Sequence, residues 1–163
     1  MSLLAAWLGL AIYFSAVVAP SAFGVLRSFD PANASEIAGT IVSRALSAVN
    51  KSGLLLSLFL LVTSLAVKKC YGRASLILQN VLLIIVAIST TAGEWVIAAK
   101  MRGLRVAMQG HIDQVPPDDP NRMAFAALHG YSVTALGVAM LAALVVLLFM
   151  VVSRERVTTT PTE

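Results

Sequence analysis

Two ionisable residues stand inside stretches that are otherwise apolar, and they are where this chain has chemistry to offer. Between Phe125 and Val152 no residue carries a permanent charge, and His129 is the ionisable group there besides the Tyr131 phenol. Glu94 lies six residues before Lys100, about 9 Å inside the end of one apolar helix by helical rise. His129 lies seven residues after Arg122, about 10 Å inside the start of the next. Antiparallel neighbours carry both to similar depth. A carboxylate beside an imidazole avoids isolating either charge in a dry interior. Ser132, one turn beyond the histidine, is placed to hydrogen-bond its ring. Such a pair holds helices together, or it handles protons or a metal, as ionisable groups inside membranes often do. Both groups lie near the membrane edge, between the belt residues Trp95 and Tyr131, and this favours the structural reading.

The other polar groups have plainer roles. His111, Asp113, Asp118 and Asp119 match no ligand spacing, and an Asp/Pro loop reads as a solvated turn with a helix cap. Gln79, Asn80, Ser89, Thr90 and Thr91 suit hydrogen bonds between helices, and Gly9, Ala16, Gly130 and Gly137 suit close helix approach. The sequence has no Ser-His-Asp set, glycine-rich phosphate loop or HExxH, so neither an enzyme nor catalytic or metal residues are expected, and no cofactor is assigned. A single cysteine, Cys70, excludes an internal disulfide and any CxxC motif.

The elements that position these groups follow from composition. The chain has 163 residues, 58% hydrophobic and 12% charged. A soluble domain is about 45–50% apolar and about 25% charged. The partner is therefore a lipid bilayer and the expected location the cell (inner) membrane, crossed several times. The net charge of +4 sits near the ends of apolar runs, where headgroups lie. There is no basic stripe interleaved with aromatics, so nucleic acid is not a partner.

The expected fold is all-α: one domain over 1–153, an integral membrane four-helix bundle of two antiparallel hairpins, with a polar tail at 154–163. Its spans fall at about 3–26, 53–67, 76–99 and 125–152. The first lacks a basic n-region and reads as a retained helix rather than a signal peptide, bent or ended near Pro20. The second is short, but residues 34–52 before it carry apolar residues at i, i+3, i+4, i+7. One long helix is predicted, amphipathic first and spanning second, with Asn33 and Glu36 or Asp30-Pro31 at its start and a bend at Gly53. Its Ile37/Ile41/Val42/Leu46 stripe is expected to pack on Met101, Leu104 and Met108 of an extended third helix, so that helices two and three project beyond the bilayer on one side. Asp119-Pro120 starts the fourth. Lys68, Lys69, Arg73, Arg154 and Arg156 lie on the side of the termini, and the other seven of twelve basic residues lie on the side of the two long excursions. The dense "KKCYGR" turn opposes the count, but the count places the excursions in the cytoplasm and both termini outside.

The stretch "NRMAFAALHGYSVTALGVAMLAALVVL" resembles the last helix of a four-span domain-of-unknown-function family, named after a eukaryotic transmembrane protein associated with platinum-drug resistance. Phe125, His129 and Ser132 carry its aromatic, Leu-His and Ser pattern, while "YFSAVVAPSAFGVLR" and "GEWVIAAKMRGLR" resemble the ends of its first and third helices. Where relatives have a proline late in helix three this chain has Ala98 and Ala99, and where they have an asparagine in helix four it has Ala135 or Leu136. The resemblance implies a four-helix membrane bundle and no activity.

Three function classes remain. The first, best supported by the polar groups' position, is a structural or stress-associated membrane component. The second is a transporter or permeation component with Glu94 and His129 along the route; four helices make a thin wall, so this version is a homo-oligomer. The third is a haem- or metal-binding redox protein with His129 as ligand, the second axial ligand being a methionine or another subunit's residue.

Overall fold

The computed structural model describes residues 2–29, 32–66, 73–109 and 112–158, and among them every regular element is helical. Asp30-Pro31, the Lys68–Gly72 part of the basic turn with Cys70, His111, and the end of the tail from 159 lie outside the described residues. Among the described residues four helices are long and apolar enough to cross a membrane. Helix α1 is Ser2–Phe29, α2 is Ala34–Ala66, α3 runs through Arg73–Thr91, Ala92–Ile97 and Ala98–Ala107, and α4 is Pro120–Thr158. Each packs on the next in the chain, and α1 closes the ring against α4. The cross-links Ser64 to Asn80, Ser47 to Glu94 and Arg105 to Thr40 run in opposite order along α2 and α3, which fixes that pair as antiparallel.

Helix α1 does not end at Pro20. The missing N–H is absorbed by a π-helical stretch, Phe14–Val18, just before it, and the helix continues to Phe29. Helix α2 has 33 residues, about 50 Å at 1.5 Å each, against a hydrocarbon core of about 30 Å. It therefore unites the amphipathic stretch and the short apolar run. Gly53 does not break it. A Cβ there would lie 2.6 Å from Cζ2 of Trp7, whose indole N–H donates to the Val49 carbonyl at 3.0 Å. The glycine makes room for the ring.

The core lies low in the bundle, towards the chain termini. Leu4, Trp7 and Ala11 of α1 meet Val49, Val86, Leu136 and Ala143. The face of α2 that turns inward is Ala34, Ala38, Val42 and Val49, whereas Ile37 and Ile41 are exposed. This corrects the expected stripe by about one residue, and the reason is side-chain size. The small side chains of Ala34 and Ala38 let α2 approach its neighbours closely, which the isoleucines do not. Gly9, Ala16 and Gly130 correct the same expectation in the other direction: all are exposed, and a Cβ on Gly9, Gly130 or Gly137 would meet nothing within 4 Å.

At the excursion end, α2 leans on the second half of α1, while the last turns of α3 pack on α4. The loop between α3 and α4 ties these pairs together. Asp113 Oδ2 accepts from the backbone N–H of Ser35 at 3.0 Å and of Glu36 at 3.1 Å, capping α2 from a distant part of the chain. Asp119 caps α4 with Pro120 as first helical residue, its Oδ1 accepting from Asn121 N at 2.8 Å. Arg122 donates to the Val115 carbonyl and closes the loop on α4.

Candidate functional site

Where the two helix pairs part, they enclose a cavity of about 830 Å³. Its lower end is made by Asn50 of α2, Glu94 of α3 and Ser132 of α4, all buried. The walls are mainly apolar, with Leu46, Met101 and Phe125 set among the hydroxyls of Thr40, Ser43 and Ser47, and Arg27, Arg44 and Arg102 line the cavity from three different helices. Below the floor the packed core of Trp7, Phe14, Val49 and Leu136 begins.

Glu94 is 6% exposed and lies in a π-helical stretch, Ala92–Ile97, whose wider turn ends with Ala98 N–H donating to Gly93 O. Stretches of this kind recur at functional sites because the extra residue per turn re-aims side chains. Ser47 Oγ donates to Glu94 Oε1 at 2.8 Å and Lys51 Nζ stands 3.4 Å from the same oxygen. The other oxygen, Oε2, is buried with no hydrogen-bond partner. Lys51 is more than half exposed, so its pull on the carboxylate is screened, and Ser47 provides the better-defined contact.

The structure brings Glu94, His129 and Ser132 to one cavity but does not join them. Glu94 takes its partners from α2, and His129 is exposed, with no hydrogen bond or ion pair among the described residues. Phe125, His129 and Ser132 all turn towards the cavity, at the spacing of one helix face. Among the described residues no cluster of three or more His, Cys, Asp or Glu is placed to hold a metal ion. Asn80 accepts from Ser64 Oγ at 2.6 Å and so joins α3 to α2, whereas Thr90 bonds back to its own helix at Val86 O.

One residue was hidden by its type. Arg105 reads from sequence as an interfacial charge, yet its side chain is 19% exposed and crosses from α3 to α2 above the cavity. Its Nε lies 3.5 Å from Glu36 Oε1, its Nη1 donates to Thr40 Oγ1 at 3.3 Å, and its guanidinium sits 5.5 Å from the centre of the Phe125 ring on α4. Nη2 occupies the space that a Cβ on Gly39 would take, 2.7 Å from that position. Gly39, Thr40 and Glu36 of α2 were the signal: a gap and an acceptor side by side, with a counter-charge one turn before them.

A family model for a domain of unknown function, DUF4149, matches residues 2–110, which include α1, α2 and α3 but stop before α4. No curated protein and no solved structure matches the chain.

Proposed function

Since the chain belongs to the DUF4149 family, a domain of unknown function, we propose its role from its own cavity: it is a membrane-embedded binding protein that takes an amphiphilic anion from one bilayer face. The carrying observation is a cavity that combines mainly apolar walls with Arg27, Arg44 and Arg102, none of which has a hydrogen bond or ion pair among the described residues. Guanidinium groups pair with carboxylate or phosphate, and apolar walls exclude water from a hydrocarbon body. A purely structural role accounts for the Ser47–Glu94–Lys51 contact but leaves the cavity without a purpose. A transport role needs a route past the packed core, through a second copy or an opening of the bundle. The likeness to the family named for platinum-drug resistance is consistent with a site here, because the helix-four residues that carry it, Phe125, His129 and Ser132, all face the cavity.

Saturable binding of a plain fatty acid, tridecanoate, to purified protein in nanodiscs tests the reading. One molecule per chain is expected, weakened at least ten-fold by Arg27→Gln with Arg102→Gln. Absence of saturable binding, or binding indifferent to both substitutions, refutes it. A second reading is favoured by His129, without a partner among the described residues, and Met101, which line the same cavity: a haem that the imidazole would hold, with the arginines to pair its carboxylates. A Soret band in the purified protein that is lost in His129→Ala would establish this instead.

A further inference from the structure

The anion-binding reading leaves the floor of the cavity unexplained, and the floor has its own chemistry. Glu94 is more than nine-tenths buried, lines the cavity, and keeps one carboxylate oxygen with no donor. A buried acceptor left unsatisfied is costly, more so on a charged group, and such an atom calls for a partner. The protein groups nearest in role do not supply one: Ser47 and Lys51 both address Oε1, and the Asn50 amide has no hydrogen bond among the described residues although it lines the same floor. Ser132 Oγ and the His129 ring face the cavity from α4, also without partners among the described residues. The lower end is therefore polar, with a carboxylate, an amide, a hydroxyl and an imidazole around one space under apolar walls.

We infer that the cavity floor is a subsite for a hydrogen-bond-donating or cationic group, so that the preferred ligand is an amphiphile with an acid at one end and an amine or hydroxyl at the other. This rests on the anion-binding reading, which supplies the mouth and fixes which end enters first. Glu94 and Arg102 are eight residues apart on α3, about 12 Å between backbone positions by helical rise, and the reach of the flexible arginine side chain lengthens the distance that a ligand's two polar ends can span. The ligand's amine or hydroxyl donates to Glu94 Oε2, with Ser132 and Asn50 able to take its remaining hydrogens. Its acid stays at the headgroup level with the arginines, and the chain between lies against Leu46, Met101 and Phe125. An ordinary single-chain acid reaches the same floor with a methyl group and leaves the carboxylate oxygen as it was.

Two probes of equal length separate these cases: tridecanoate, and ω-aminododecanoate, in which the terminal methyl is replaced by an ammonium. Titrated into the full chain in nanodiscs, ω-aminododecanoate is expected to bind roughly ten-fold more tightly, the scale of one hydrogen bond to a charged group. Glu94→Gln should bring the two affinities together, and a helical circular-dichroism spectrum with a cooperative melt shows that the variant is folded. If Glu94→Gln does not fold, Glu94→Asp, which keeps the charge but withdraws it, should shrink the preference instead. Equal binding of both probes to the unaltered chain overturns the inference and leaves the anion reading standing. A preference of undiminished size in Glu94→Gln or Glu94→Asp overturns it too. Failure of tridecanoate itself to bind is the separate result that removes the anion reading.

Discussion

At Gly39 and Gly53 the same missing methyl group has two different consequences, because the neighbour differs. At Gly53 it is the Trp7 ring, 2.6 Å from the position of a Cβ and pinned by its bond to Val49 O. A rigid ring cannot step aside, so Gly53→Ala should destabilise the bundle by about 1–3 kcal/mol in a thermal melt, as overpacking does. At Gly39 the neighbour is the far end of the Arg105 side chain, which can swing away but must abandon Thr40 and Glu36 to do so. Gly39→Ala should therefore be mildly destabilising alone. Once Arg105→Ala has emptied the space, the same change should become stabilising by about 0.5–1 kcal/mol through helix propensity, a reversal of sign visible in unfolding measurements. Glu94 offers a comparable test. A double-mutant cycle between Ser47 and Glu94 should show coupling of about 0.5–3 kcal/mol, whereas Glu94 and His129, which share a cavity without a bond, should couple more weakly. The depth of Glu94 and His129 was legible in the sequence because helical rise sets it. The partners of Glu94 were not, since Ser47 and Lys51, one turn apart on α2, carry no mark that distinguishes them from interfacial residues.

For the helices, the caps decide how far each one holds. Asp119 could be read from its place before Pro120, a local signal. Asp113 could not, because its acceptor role depends on a contact with Ser35 and Glu36, 78 and 77 residues away. Replacing Asp113 with alanine should cost about 0.5–2 kcal/mol, the usual range for a lost cap, and should speed amide exchange in the first turn of α2 without touching its spanning half. The extent of α2 was legible from periodicity, but its inward face was not. The stripe Ile37, Ile41 marks the helix as amphipathic, but the alanines, which let the helices approach closely, go inside. The π-helical stretches were likewise invisible apart from Pro20, for Ala92–Ile97 contains no proline to announce it.

Across the whole molecule the two ends differ in what holds them. The end near the termini has a continuous apolar core, with Leu4, Ala11, Val86, Ala139, Ala143 and Val146 almost wholly enclosed. The excursion end is held apart by the cavity and bridged by Arg105 above and Glu94 below. Opening should therefore begin there: amides of 35–48 are expected to exchange faster than those of 54–64, and a bound amphiphile should slow the first set only. Uniform exchange along α2 would contradict this. Four spans and their order were open to reading because hydropathy marks them; a cavity is a property of how four faces meet, and no single helix encodes it. The bond from Asp113 to the start of α2 also has a meaning in time. A chain made from its N-terminus has produced all of α2 and all of α3 before the residue that caps α2 exists. Until then the first turn of α2 has donors with no acceptor from that loop, and the mouth of the cavity has one loose wall. The cavity is thus completed late in synthesis, only after the loop to α4 and the first turns of α4, which supply Phe125 and Ser132, have been made.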